Sequence, residues 1–389
     1  MQNKFAYCLV LFFLIVGILT YDFVQIRTGF SYTDELIAMF LFLYWCFKEK
    51  HKTNGLLVVF TIFCIYLFNS IIHPHNVLPA ILGDFIQQLK PFLAFYTMYD
   101  LGMNLNSYYR RKICKACLWL TLIILPIGII GIGGRPPMNE FGGHSRYATS
   151  SICLGCTYFF FSQHKKKDLI KMFLIFSVGL LSLRSKMFGF YAAAFAIFIL
   201  WKNVKMNKKL LNVKTLMMIV VLVPLVIWAA WEKINFYFIE GFEATNMFAR
   251  PLLYVKAIEI LNDFPLLGTG FGSYATDASA VYYSPLYFTY ELYLSPEIGE
   301  GLFLSDTYFP VLAQFGYIGV ALFFCFWYSI IKKSKKHFDV DGEVWRFKMT
   351  ILIVVFFFIE SIADSTFTQN RGLYMMAMLG LCARKNIRQ

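Results

Sequence analysis

Arg184 and Lys186 stand two residues apart in the run Ser182-Leu-Arg-Ser-Lys-Met-Phe-Gly189, between two apolar stretches. A third cation, Arg250, is one of only three bases in a long acidic segment. Cations in such places serve one of two ends. They lie along apolar surface and send their charge to lipid headgroups, or several of them converge on an anion. Arginine suits phosphate because its planar fork donates in pairs. A pyrophosphate attached to a lipid fits such a grouping. For Arg250 the ordinary alternative is a salt bridge to Glu243 or another acid nearby. Asp84, Gln87, Gln88 and Lys90 put a polar stripe on an apolar run. Charge is costly in lipid, so such a stripe faces a bundle interior or an aqueous cavity. Asp84 and Lys90 are six residues apart, a poor spacing for a direct pair. His144 and Arg146 flank a further run, where a solvated histidine is the ordinary expectation. Glu360, Asp364 and Arg371 bracket a loop that suits a structural ion pair.

These residues belong to a chain that is 58% hydrophobic and 19% aromatic, with 15% charged residues, which excludes an ordinary soluble domain. Apolar runs lie at 4–21, 35–47, 54–72, 80–99, 113–132, 147–163, 168–183, 187–201, 214–231, 309–331, 347–363 and 372–383. Most are long enough, or nearly so, to cross a bilayer core of ~30 Å at ~1.5 Å per residue. If Lys4 is cytoplasmic and every run crosses, the inside segments hold 26 of the 36 Lys and Arg. The positive-inside rule then predicts an all-α polytopic bundle of about 12 spans, one integral membrane domain over 1–389, with both termini in the cytoplasm. One span more or fewer would invert every later loop and break the pattern. The net charge of +13 is accounted for by these short loops, which set topology and meet anionic headgroups, so no nucleic acid is expected as a partner. The first run has no small-residue cleavage site after it and reads as a retained span. The nine cysteines are an odd number, mostly inside apolar runs. The spacings Cys114/Cys117 and Cys153/Cys156 lack a second pair or neighbouring histidines, so they read as small hydrophobes, and no metal is expected.

The longest stretch without an apolar run is 232–308, an outer loop between spans 9 and 10, with ten acids against three bases. Within it, 246–263 is predicted to be an amphipathic helix capped by Asn246, with Phe248, Leu252, Val255 and Ile258 at helical spacing. Pro265 and the run Gly268-Thr-Gly-Phe-Gly272 end it. Those glycines follow a helix and have no βαβ context, so they predict a turn and no dinucleotide site. Residues 281–293, rich in Tyr and Leu, read as an interfacial loop or short helix with an aromatic rim. Two smaller outer segments carry polar groups, 133–146 and the turn at Arg184-Ser-Lys186. A long ordered loop on a membrane scaffold is usually functional.

Three stretches together resemble one family. The first is Arg250-Pro-Leu-Leu-Tyr-Val-Lys-Ala; the second is Asp263-Phe-Pro-Leu-Leu-Gly-Thr-Gly-Phe-Gly-Ser-Tyr274. The third is Ser305-Asp-Thr-Tyr-Phe-Pro-Val-Leu-Ala-Gln-Phe-Gly-Tyr-Ile-Gly319. They are similar to the O-antigen ligase and Wzy-type polysaccharide polymerase superfamily. There an Arg-bearing helix, a "P-L-x-G-x-G" turn and a "His-Asn-x-Tyr-Leu … Gly-x-x-Gly" motif follow one another. Ser182-Leu-Arg184-Ser185 resembles that family's "S-x-R-S" turn. The motifs cover about 180–320; elsewhere the likeness is one of topology.

The resemblance implies a metal-independent glycosyltransferase of GT-C type in the bacterial inner membrane. Its arginines, here Arg184 and Arg250, bind a lipid-linked pyrophosphate, with Lys186 beside them. The ligases carry a histidine in the "His-Asn" pair; here that pair reads Ser305-Asp306. The departure favours the polymerase branch, with Asp306 as general base and Glu300 in reserve. Lys90, Gln87, His144, Arg146 and Tyr308 are candidates for the substrate cavity. Donor and acceptor are then undecaprenyl-pyrophosphate-linked oligosaccharides. No cofactor is expected, because the donor carries its own activated bond. Membrane lipids and a chain-length regulator are the further partners. Two other readings are a ligase that moves the polymer to lipid A core, and a transporter or flippase of an anionic lipid-linked glycan. The latter would want inverted repeats, and none is visible.

The topology is tested by cysteine labelling in a background without native cysteines. Glu240→Cys and Ala278→Cys should label from outside whole or outer-membrane-permeabilised cells, whereas Lys208→Cys and Val340→Cys should not. Labelling at 208 would overturn the twelve-span arrangement.

Overall fold

The computed structural model describes residues 2–21, 32–47, 54–103, 105–132, 136–201, 235, 248–295, 297–299 and 307–384. Among these residues the chain is helical, with no strand. The first helices are α1 (Gln2–Phe12), continued by a π-helical stretch Phe13–Leu19, α2 (Thr33–Cys46), α3 (Gly55–Ile72), α4 (Leu78–Leu101) and α5 (Ser107–Gly131). There follow a short α6 (Pro136–Glu140), α7 (His144–Phe161), α8 (Lys166–Gly179) and α9 (Ser185–Phe195), the last extended by a π-helical stretch Ala196–Leu200. The expected run at 214–231 lies outside the described residues. The segment 232–308 holds α10 (Ala249–Asp263), α11 (Asp277–Val281) and α12 (Pro285–Thr289). The chain closes with α13 (Tyr308–Val311), α14 (Gly316–Asp341), α15 (Val344–Ala363) and α16 (Asn370–Ala383).

Among the described residues, three helical segments are long and apolar enough to cross a membrane: Gly55–Ile72, Ser107–Gly131 and Tyr308–Asp339. Lys4–Leu19 and Ser185–Leu200 are apolar but shorter. The long segments turn large apolar side chains outward, among them Phe60, Ile65 and Phe68 on α3 and Trp119, Leu122 and Ile123 on α5. A water-facing surface would not carry such continuous apolar patches, and lipid suits them.

The centre of the bundle is made by α4, α7 and α16. Every residue of α16 from Asn370 to Ala383 is buried, as is Tyr147–Phe161 of α7. Close approach depends on small residues, as is usual between helices in lipid. A Cβ at Gly380 would stand 2.3 Å from the Phe95 carbonyl oxygen of α4. One at Gly155 would strike the Phe176 ring of α8 at 2.3 Å.

The predicted polar stripe on α4 faces inward and has two separate uses. Asp84 is fully buried. Its Oδ1 accepts from Gln88 Nε2 at 3.0 Å. Its Oδ2 accepts from the Gly272 backbone N–H and from Gln314 Nε2, both at 2.8 Å. Tyr308 Oη donates to Gln88 Oε1 at 3.0 Å, so the network joins α4 to α13 and to the glycine run. Lys90 points elsewhere and pairs with Asp34 and Glu35 of α2. Gln88, with Gln87 half-buried beside it, carries the link to Tyr308.

The glycine run is the turn its sequence predicts. Gly270 N–H donates to the Gln314 carbonyl and Tyr317 N–H to the Pro265 carbonyl, each at 2.8 Å. Ser70 Oγ accepts from Phe271 N–H at 2.9 Å. Gly272 has φ +67°, and a Cβ there would stand 2.6 Å from the Ala80 carbonyl oxygen. Both facts require glycine. The "P-L-x-G-x-G" stretch and the later Gln-Phe-Gly stretch therefore co-occur because they clasp each other over α3 and α4.

The helix predicted at 246–263 runs from Ala249 to Asp263. Asn246 lies outside the described residues, and the residue before the helix is Phe248 in extended conformation, without a side-chain cap. The buried face is also shifted. Ala249, Leu253, Ala257 and Ile260 are buried, whereas Ile258 is exposed. The two alanines present the narrow side, and Tyr274 Oη donates to the Leu253 carbonyl at 2.6 Å to hold that side down. The predicted aromatic rim is present: Tyr282, Phe288 and Tyr293 are exposed on and around α12.

Asp84→Ala should leave the Gly272 N–H and Gln314 amide unsatisfied in a dry site, at about 1–3 kcal/mol each. Thermal unfolding of detergent-purified protein should drop by several degrees, and Ile86→Ala on the exposed side should change little. Unfolding of Asp84→Ala at the wild-type temperature would contradict the hub.

Candidate functional site

The residues of the Ser-x-Arg turn are positioned by a break in the helix. After α8, residues Leu180–Ser182 form one 3₁₀ turn and Leu183 takes a left-handed conformation at φ +54°. Arg184 then sits at the residue before α9, with an exposed side chain. His144 Nδ1 donates to the Ser182 carbonyl at 3.0 Å, which requires the proton on that nitrogen. His144 is thus a clamp on the turn that carries Arg184.

Lys186, two residues on, is engaged. Its Nζ lies 2.6 Å from Glu360 Oε2 and 2.7 Å from Asp364 Oδ2. Ser145 Oγ donates to Asp364 Oδ2 at 2.7 Å, and Thr366 Oγ1 to Glu360 Oε2 at 2.9 Å. The ion pair expected of Glu360 and Asp364 therefore forms with Lys186 of α9. Arg371 instead donates to Gln369 Oε1 and, at 3.4 Å, to Thr149 Oγ1, while its charge still acts on Asp364. Burial pushes the Asp364 carboxyl up, but Lys186, then Arg371, and the bonds from Lys186 and Ser145 outweigh it. The group is held well below the usual carboxylate range. Its stabilising contribution is present above the ordinary carboxylate pKa and is lost only as the pH falls toward that depressed value. Arg146, on the first turn of α7, is within electrostatic reach of Asp364 and Arg371.

The helix that carries Arg250, α10, approaches the same end. Glu297 Oε2 accepts from the Ala249 backbone N–H at 2.9 Å and so fixes the first turn of α10. One turn after Arg250, Tyr254 Oη donates to the Ile362 carbonyl at 3.0 Å. Ile362 lies between Glu360 and Asp364 in sequence. The turn with Arg184 and Lys186, the helix with Arg250, and the buried Arg371 thus all converge on the last turn of α15 and the loop after it.

The remaining candidates are dispersed. Tyr308 is buried and bonded to Gln88. Lys90 is buried in its ion pairs with Asp34 and Glu35. Asp306 and Glu300, the expected bases, lie outside the described residues. Among the described residues no group of three His, Cys, Asp or Glu could hold a metal ion. Two residues were not singled out by sequence reasoning: Asp34 and Glu35. A pair of acids opening an apolar run is the signal that would have found them. No protein-family model matches the chain, and no curated protein matches it either.

Lys186→Met strands Glu360 and Asp364 in a buried place. Removing one partner of such a pair costs roughly 3–5 kcal/mol. Arg184→Ala touches an exposed side chain and should stay within about 0.5 kcal/mol. Comparing the two by thermal unfolding in detergent checks the division of labour. Equal losses would contradict it.

Proposed function

We propose that this chain is a membrane glycosyltransferase of twelve spans and GT-C type. It joins oligosaccharide repeat units carried on undecaprenyl pyrophosphate at the outer face of a bacterial inner membrane. The observation that carries the reading is the distribution of charge around the end of α15. Lys186 is consumed by Glu360 and Asp364, while the neighbouring Arg184 is exposed on a turn clamped by His144. The Arg250 helix is tied to the same place through Tyr254. Two arginines carried by separate elements suit a pyrophosphate whose negative charge grows as it leaves.

The acceptor hydroxyl attacks the anomeric carbon of the donor glycan, and the bond to pyrophosphate breaks. Arg184 and Arg250 stabilise the leaving group, and a carboxylate receives the hydroxyl proton. Lys186 serves mainly to anchor the Arg184 turn to α15. The resemblance gives the carboxylate role to Asp306, with Glu300 second. Serine in place of the ligases' histidine at 305 favours polymerisation over transfer to lipid A core.

Arg184→Ala and Arg250→Ala should each abolish polymer in cells while leaving membrane insertion intact. Lysine at either position should rescue poorly, because a point charge loses the paired donors. Wild-type polymer from Arg250→Ala would remove that residue from the site.

A further inference from the structure

An apolar groove runs between α3 and α14, with Phe92 and Tyr96 of α4 as its floor. Its cavity has a volume of about 270 Å³. Both flanking helices belong to segments long and apolar enough to cross a membrane. Val58 of α3, and Leu322 and Cys325 of α14, line it and are exposed, so the groove opens toward lipid. On α14 the lining extends from Gly319 to Ser329, about 15 Å at ~1.5 Å per residue. That is about half of a bilayer core of ~30 Å, the hydrocarbon depth of one leaflet. The hydroxyls of the lining are mostly engaged within the protein. Tyr308 Oη donates to Gln88, Tyr66 Oη to the Phe315 carbonyl, and Ser329 Oγ to the Phe326 carbonyl of its own helix. The walls therefore offer a guest mainly apolar contact, which suits a hydrocarbon chain and not a sugar.

One end of the groove is cationic. Past Ser329 it narrows to a cleft that shares Tyr96 and Ser329 with it and is bounded by Lys333. Leu322, Phe326, Ser329 and Lys333 recur at i, i+4, i+7 and i+11, so Lys333 stands on the helix face that lines the groove. Lys332 and Lys336 continue the neighbouring row from Cys325 and Ser329. All three lysines are exposed, and none of the ion pairs among the described residues uses them. The first turn of α3 lies at the same end: a Cβ at Gly55 would stand 2.2 Å from the Tyr96 ring. The positive end of that helix dipole adds to the lysines. Lysines near the end of α14 also complement its dipole and reach toward headgroups, but that use requires no open groove on the same face.

We infer that this groove binds an anionic phospholipid. One acyl chain lies on α4 between α3 and α14, and the headgroup phosphate meets Lys333, with Lys332 and Lys336 beside it. A basic cluster at the mouth of a cleft between membrane helices is the chemistry that selects an anionic headgroup. The groove's length matches an acyl chain of one leaflet, whereas a polyprenyl chain is far longer and would overrun it. The inference does not depend on the glycosyl-transfer reading.

The test uses full-length protein purified in detergent and titrated with dioleoyl phosphatidylglycerol or, in parallel, dioleoyl phosphatidylcholine. Bound lipid is counted by native mass spectrometry. The wild type should hold one phosphatidylglycerol at least about tenfold more tightly than phosphatidylcholine, because each lysine near an anionic headgroup adds attraction. Lys332→Gln, Lys333→Gln and Lys336→Gln together should erase that preference and leave the affinity for phosphatidylcholine unchanged. Cys325→Trp fills the groove from α14 and should weaken both lipids at least about tenfold, by removing the apolar contact area they share. Should that variant fail to fold, Val58→Trp fills it from α3 with the same expected loss. Equal affinity of the wild type for the two lipids would overturn the inference. So would wild-type binding of phosphatidylglycerol by a folded groove-filled variant, since the lysines would then attract lipid without the groove. Displacement of bound phosphatidylglycerol by undecaprenyl phosphate at equal concentration would give the groove to a polyprenyl chain and overturn the phospholipid assignment.

Discussion

A carboxylate with no access to water must find its hydrogen bonds inside the protein, and Asp84 finds three: one from its own helix, one from the glycine turn and one from Gln314. The last two donors are distant in sequence, so satisfying Asp84 forces the glycine turn after α10 and the turn before α14 onto α4. Gly270, Gly272 and Gly316 then permit an approach that any side chain would block. From this fixed point α10 runs back to its first turn, where Glu297 holds the backbone beside Arg250. An arginine on a long loop can be a precise ligand only if the loop is tied to something rigid. Here the tie is a buried polar network.

The same logic sorts the cations. In lipid or a dry bundle, an unpaired charge is expensive. Lys186 is paired with Glu360 and Asp364, Lys90 with Asp34 and Glu35, and Arg371 is held by Gln369 and Thr149. Arg184 is the cation at this end whose side chain stands exposed.

Much of the helical layout was legible in the sequence. The apolar runs at 54–72, 80–99 and 347–363 match helices to within a few residues, because hydrophobic length is a local property. The inward polar stripe on α4 was legible for the same reason. Partners were not. Lys90 lies 55 residues from Glu35 and Lys186 lies 174 from Glu360. No local spacing reports contacts made by helix packing, so the Lys186 ion pair and the Asp34–Glu35 site went unread. The α10 face was shifted because Ala249 and Ala257 pack close while the larger Ile258 points out. Residue type alone favours the larger side chain for the core. Of the two neighbouring glutamines in that stripe, Gln88 is the one bonded to Tyr308, a distinction that a pattern of polar residues cannot make.

The central claim is chemical: the cationic end of α15 holds a lipid-linked pyrophosphate that departs as sugars are joined. The direct measurement is the product balance of purified protein given only a synthetic undecaprenyl-pyrophosphate oligosaccharide in liposomes, without nucleotide. The account predicts one free undecaprenyl pyrophosphate for every new glycosidic bond, with glycans appearing as multiples of the starting unit. Intact starting material, or translocated lipid with no lengthened glycan, would contradict it.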